Sequence, residues 1–291
     1  YFDLTVSGDV SVTGTLTGNT SAISMRSLTI ESGGTYSAPS GTTTIVGQPS
    51  GDYMLRNKDG GTFTHNSGTL TISRSSASGA KYAKFGEDVY YNLIIDETNT
   101  SGTSVVYIVG VLNVANDLTI TDGKLGAYGG TGAVDVDGNV LISSGGVLDL
   151  KDPTLDVAAT FGSLEIASGG EYDATSGTTT LNGGGANGDS NTSLYGAGTF
   201  THNNGTLHYA SGAAFRTPLG GTFYNVTTDV NLYGYDGLFL PQPTMPDGTT
   251  AADFFSIEGT LRINTNSVYP YGWNGLYVHN LIIGDGTGSA N

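Results

Sequence analysis

Apolar and polar residues alternate in short bursts along this chain. Leu28-Thr29-Ile30, Val134-Asp135-Val136-Asp137 and Leu148-Asp149-Leu150 each keep a period of two. Such alternation turns one row of side chains into a core and the other toward water, as in a half-buried strand. Strand starts of this kind recur at Leu4, Leu28, Leu70, Leu93, Leu118, Leu141, Leu164, Leu207, Val226, Leu261 and Leu281. Several neighbouring starts lie 23 to 25 residues apart, and two gaps are close to twice that. Turn clusters stand between the bursts: ESGG from Glu31, SSGG from Ser143, ASGG from Ala167 and GGG from Gly183. Gly there reaches positive φ at little steric cost. Helical patterning is nearly absent, because Gly and β-branched residues interrupt every window.

Longer stretches also repeat. Residues 27–45 read SLTIESGGTYSAPSGTTTI and residues 163–181 read SLEIASGGEYDATSGTTTL, an offset of 136 (27 to 163). GTFTHNSGTL at 61–70 returns as GTFTHNNGTL at 198–207, an offset of 137 (61 to 198). One long unit of about six strand periods is therefore duplicated, with its matching text at 27–70 and 163–207. The spacing predicts an all-β fold, a right-handed parallel β-helix (β-solenoid) with coils of about 23 residues. One such coil cannot bury its apolar face alone, so stacking supplies the core. The alternative is a pair of antiparallel β-sandwiches, which accounts for short strands and turns but not for constant spacing with a long duplication.

The coils are expected to fill 1–232. Residues 233–260 break the spacing and carry Pro241, Pro243 and Pro246, three of the eight prolines. Pro cannot donate to a strand ladder, so this stretch reads as a loop excursion. Residues 261–291 read as terminal coils or a cap, continuing in a longer protein. The opening on Tyr1 and the ending GDGTGSAN suggest a processed or excised piece.

Composition narrows the function classes. The chain carries 26 acidic against 10 basic residues, a net charge of −16, with the basic residues scattered. That surface repels polyanions, which argues against nucleic acid as a partner. The absence of Cys removes disulfides, thiolate chemistry and Cys-ligated zinc. No apolar run approaches the length of a membrane helix, so no membrane span is expected in this chain.

Candidate chemistry is sparse. Asp135, Asp137, Asp149, Asp152 and Asp156 are the densest carboxylates. Asp135 and Asp137 point out from one strand, with Asp149 near the next coil, the kind of grouping a glycosidase or a Ca²⁺ site needs. The run lacks the further ligands of a calcium loop, and a solvated acidic face accounts for it better. His65 and His202 sit at equivalent places in the two copies, which favours a structural role, while His208 and His279 are isolated. No metal or cofactor motif is present, and none is expected. Thr42–Thr44 and Thr178–Thr180 raise ice binding, but Thr rows are not kept at every coil. Asn-x-Ser/Thr acceptors for N-glycosylation occur at Asn19, Asn99, Asn191, Asn204 and Asn225. Asn92, Asn225 and Asn280 each follow a ring-bearing residue and precede a strand, which suits a corner-stabilising Asn. Binding is expected where the repetition fails. Tyr233, Tyr235, Tyr269, Tyr271, Trp273 and Tyr277 cluster there, and exposed aromatics stack on sugars or anchor partners.

At GTFTHNSGTL, YYNLIID and LTIESGGTY the chain resembles the Gly/Thr/Asn-rich β-solenoid repeats of large bacterial surface adhesins, and of phage fibre and virion surface proteins. The resemblance implies an elongated, extracellular, non-catalytic element. The expected function is thus a structural or adhesive rod of a cell-surface or virion assembly, not an enzyme, acting through self-association, neighbouring subunits, or a glycan or receptor. The alternatives are a tailspike-like or lyase-like carbohydrate-active β-helix and a glycan-binding module.

Overall fold

The computed structural model describes residues 3–74, 79–98, 104–152, 154, 156–185, 193–210, 221–229, 232–233, 255–264, 268–269 and 276–283. These residues form parallel strands stacked as a β-solenoid, with no helix and about 24 residues between equivalent strands. The antiparallel alternative is excluded, since every strand pairing among the described residues is parallel. No helix among them is long and apolar enough to cross a membrane.

Three ladders run along the rod. Ladder I joins 4–6, 23–25, 43–45, 70–72, 93–95 and 118–120 in register. It continues through the Ser143 N–H donated to Ile120 C=O, and through 140–142 to 164–166 and 194–196. Ladder II joins 10–12, 28–30, 55–56 and 83–84, then passes through 105–108, 124–126, 147–149 and 171–173 to 199–201. Ladder III starts at 15–17, 35–37 and 62–64. It resumes through 89–90, 113–114, 135–136, 160–161, 180–181, 208–209, 227–228, 262–263 and 282–283. Strand Leu118–Ile142 passes across all three ladders without a break in strand geometry.

The core is the inward row of each ladder. Leu93, Leu118, Val140 and Leu164 stack in ladder I with no exposure. Burying each such side chain contributes about 1.5–3 kcal/mol, and only the neighbouring coils provide the cover. Aromatic rings fill the wider part of the section. Tyr36, Phe63 and Tyr90 stack at centroid distances of 6.0 and 4.9 Å. In the second copy Tyr172, Phe200 and Phe223 do so at 5.4 and 4.8 Å.

The duplication has an unexpected geometric consequence. An offset of 136 residues is about five and two-thirds turns of about 24 residues. Matching text therefore lands on different ladders. Residues 28–30 lie in ladder II and their counterparts 164–166 in ladder I. Residues 62–64 lie in ladder III and 199–201 in ladder II. Residues 43–45 lie in ladder I and 179–181 in ladder III.

Corners are held by side chains. Asn116 donates to Asn92 Oδ1 (2.8 Å), and the Asn139 N–H bonds Asp117 Oδ1 (2.9 Å). Asn225 Oδ1 accepts the Thr260 N–H (2.9 Å). Asn92 Oδ1 also accepts the Asp117 N–H (3.3 Å), so Asn92, Asp117 and Asn225 each satisfy a backbone donor that leaves the ladder at a corner. The corner role predicted for Asn92 and Asn225 is thus directly visible.

Candidate functional site

The expected sites do not converge. Asp135 lies in ladder III, opposite Asn113 and Thr160. Asp149 lies in ladder II, opposite Gly126 and Asp173, and bonds Lys124 Nζ at 3.0 Å. The anticipated grouping of Asp149 with Asp135 and Asp137 is therefore corrected, because consecutive faces of a coil carry them apart. Asp152 accepts the Thr154 N–H, and Asp156 accepts from Ser176. Burial, and secondarily the Asp137 charge, push the Asp135 carboxyl above its ordinary value.

The two histidines of the repeat are corner pieces. His65 stacks on Tyr91 at 5.5 Å and accepts the Ser67 N–H on Nδ1. His202 stacks on Tyr224 at 5.7 Å and accepts the Asn204 N–H on Nδ1. Residues 66–67 and 203–204 take positive φ, in one case at a serine. A space of about 10 Å³ lies beside each ring, room for about one water. The central residues of the Thr runs, Thr43 and Thr179, face inward and bond the hydroxyls of Tyr36 and Tyr172 at 2.7 Å.

Tyr235, Tyr271 and Trp273 lie outside the described residues. The backbones of Tyr233 and Tyr269 pair in register on two short parallel strands, Leu232–Tyr233 and Val268–Tyr269. The Tyr277 backbone pairs with Ser256 on the last ladder rung.

A different aromatic cluster stands on the outside of ladder II. Tyr82 and Tyr107 face each other in register on successive coils, and their rings stack at 5.4 Å. Tyr107 then pairs with Gly126, where a side chain would press on the Tyr107 ring from 3.4 Å. Tyr128 closes the triad two residues on, 5.1 Å from Tyr82 and 5.2 Å from Tyr107. It is 45% exposed. Thr131 fixes its turn: Thr131 Oγ1 accepts the Tyr128 N–H and shares its one proton between the carbonyls of Ile108 (2.7 Å) and Tyr128 (2.9 Å).

The opposite wall comes from the connection 46–54. Gln48 Oε1 accepts the Tyr82 N–H (2.9 Å), and Arg26 holds the Gln48 carbonyl (2.9 Å). Asp52 Oδ1 accepts the Tyr53 N–H and Arg56 Nη1. Arg56 lies over the Tyr53 ring at 5.6 Å. Between the walls is an open groove of about 440 Å³, lined by Asp52, Tyr53, Tyr82, Val109, Tyr128 and Gly129. That volume is within the range of ligand sites. The Tyr82 phenol is pushed up by desolvation and then by Tyr128 and Tyr107, so it stays a neutral donor.

Nearby, Arg74 and Glu97 form a fully buried pair across one coil. Arg74 Nε donates to Glu97 Oε1 at 2.6 Å, Arg74 Nη2 to Glu97 Oε2 and, at 2.7 Å, to Ser104 Oγ. Ser104 Oγ in turn donates to Glu97 Oε2 at 2.6 Å. Neither this network nor the tyrosine groove was singled out from the sequence. A signal existed for both, since the members stand one coil apart: 23 residues for Arg74 and Glu97, 25 for Tyr82 and Tyr107 (82 to 107).

No family model matches the chain, and no curated protein or solved structure is significantly similar to it.

Proposed function

We propose that this chain is a non-enzymatic, extracellular structural or adhesive element, a rod-like subunit of a cell-surface or virion assembly. The observation that carries this reading is the solenoid itself. Nearly all of the described chain is spent on ladder, corner and inward stack, with an outward surface rich in Thr, Ser and Asn. The acidic balance of −16 suits a particle surface that resists nonspecific association with polyanions. Its mechanism is mechanical: a stiff rod holds side faces and grooves at fixed spacing for a neighbouring subunit or receptor.

Electron microscopy with gold-labelled antibody fragments on intact producing cells or particles tests this. Labelling of surface-attached rods is the expected result. Label confined to the cell interior would overturn it. So would polysaccharide cleavage by the purified chain that is lost in Asp135→Ala or Asp137→Ala.

A further inference from the structure

We infer that the groove between Tyr53 and the Tyr82–Tyr107–Tyr128 triad binds an uncharged carbohydrate chain. The inference deepens the adhesive reading above and rests on it.

Three features point to this ligand class. The first is ring presentation. Tyr82 and Tyr107 occupy one ladder on successive coils, roughly 4.8 Å apart in the stacking direction. Tyr128 extends the series to the following coil, with nearly half of its surface in water. Tyr82 and Tyr107 cover each other's inner faces, so the aromatic surface offered to a ligand is that of Tyr82 on the groove wall and of the exposed Tyr128, which suits the apolar face of a sugar ring. Second come the polar groups. Asp52 uses Oδ1 for Tyr53 and Arg56, and Oδ2 carries no protein hydrogen bond among the described residues. That free acceptor, with the Tyr82 phenol at the opposite wall, suits vicinal hydroxyls. Third is charge. The two cations at this wall are already held, Arg56 by Asp52 and Tyr53 and Arg26 by Asp9 and the Gln48 carbonyl, and the chain as a whole is strongly negative. Anionic ligands are therefore disfavoured. A purely aliphatic ligand would bury the Asp52 carboxylate without a partner, which is costly.

The groove is also built rather than incidental. Gln48 ties the 46–54 connection to the Tyr82 backbone, and Thr131, 4% exposed, makes the hydrogen bonds that set the Tyr128 turn. Both walls are thus fixed before any ligand arrives, which limits the ordering cost of binding. The sequence of the second copy lacks a counterpart of Tyr53. Where the first copy reads Gly51-Asp52-Tyr53, the second reads Gly188-Asp189-Ser190.

The test is calorimetric titration of the whole chain with neutral hexose oligomers (glucose, mannose and galactose series) and their sulfated counterparts. At least one neutral series should bind, more tightly as it lengthens and more tightly than its sulfated form. Tyr128→Ala should weaken binding by about tenfold or more, at unchanged circular dichroism and melting temperature. Tyr82→Ala, on the groove wall, serves as a second variant. Failure of every neutral series to bind overturns the inference, as does wild-type affinity in both variants. Loss of binding only in Trp273→Ala would move the site to 233–277 and equally overturn it. A concentration-dependent dimer abolished by Tyr128→Ala, without sugar binding, would assign the groove to a second copy of the chain. None of these outcomes bears on the surface labelling that tests the rod, so the two readings fail separately.

Discussion

Around His65 and around His202 the same short text builds the same corner. Each ring stacks on the tyrosine of the next coil, each Nδ1 accepts the N–H two residues on, and each is followed by two residues of positive φ. Behind each corner a buried Tyr hydroxyl meets a Thr hydroxyl at 2.7 Å. Yet the two corners stand on different ladders, III for the first and II for the second. The difference teaches that local text sets the corner and its packing, while the residue count between copies sets the direction in which it faces. The copies also differ in what is attached. Among the described residues the tyrosine groove flanks the first copy, and the first copy ends in Arg74 where the sequence of the second has Ser211.

The largest expected effect probes that asymmetry. Glu97→Ala leaves the Arg74 guanidinium buried without its carboxylate, which should cost about 3–5 kcal/mol in urea unfolding. A loss below about 1 kcal/mol would mean that the network is not what holds this flank. Next come paired substitutions at the symmetric positions. A Cβ at Gly68 would lie 2.0 Å from the Pro39 carbonyl oxygen, and one at Gly205 2.3 Å from that of Thr175. Both Gly68→Ala and Gly205→Ala should destabilise, each by about 1–3 kcal/mol. One tolerated and one damaging substitution would show that the copies are not equivalent. Smaller still, Tyr36→Phe and Tyr172→Phe each remove one buried hydrogen bond and should each cost about 1 kcal/mol. Unequal losses at these sites would show that ladder identity matters as well as local text.

The smallest effect concerns two outward carboxylates of ladder III. Burial, then the Asp137 charge, raise the folded-state value of Asp135, so the folded chain holds that proton more tightly than the unfolded chain. Stability from this group is therefore lost as pH rises from the ordinary carboxylate value through the raised one. Asp135→Asn should be slightly more stable than the parent at neutral pH and indistinguishable in acid. Asp229 has the opposite sign. Its hydrogen bond from Asn264, opposed in part by desolvation and supported by His208, lowers its value, so its contribution is lost as pH falls. Chemical unfolding of Asp135→Asn across acid to neutral pH checks this; a destabilised variant at neutral pH would count against it.

Much of the fold was legible because a solenoid is nearly one-dimensional. Leu28-Thr29-Ile30 and Leu148-Asp149-Leu150 announce inward and outward rows by alternation, and the coil period follows from the spacing of the strand starts. Asn92 and Asn225 were readable as corners because a ring, an Asn and a strand start recur together. The groove was not legible in the same way. Tyr82, Tyr107 and Tyr128 are three of 17 tyrosines, and nothing in their neighbours marks them as sharing a face. The carboxylates mislead for the same reason: Asp135 and Asp149 look like near neighbours, but a change of face lies between them.

By itself, the sequence determined the strand period, the inward rows, the corner residues and the identity of the two copies. These depend on side-chain alternation and turn chemistry, which act over a few residues. Only the tertiary structure decided which ladder each segment joins, and so which side chains share a surface. Ladder assignment depends on the accumulated length of every intervening connection. A few residues more or less in one loop turn all later text about the axis, as the 136-residue offset of about five and two-thirds turns shows.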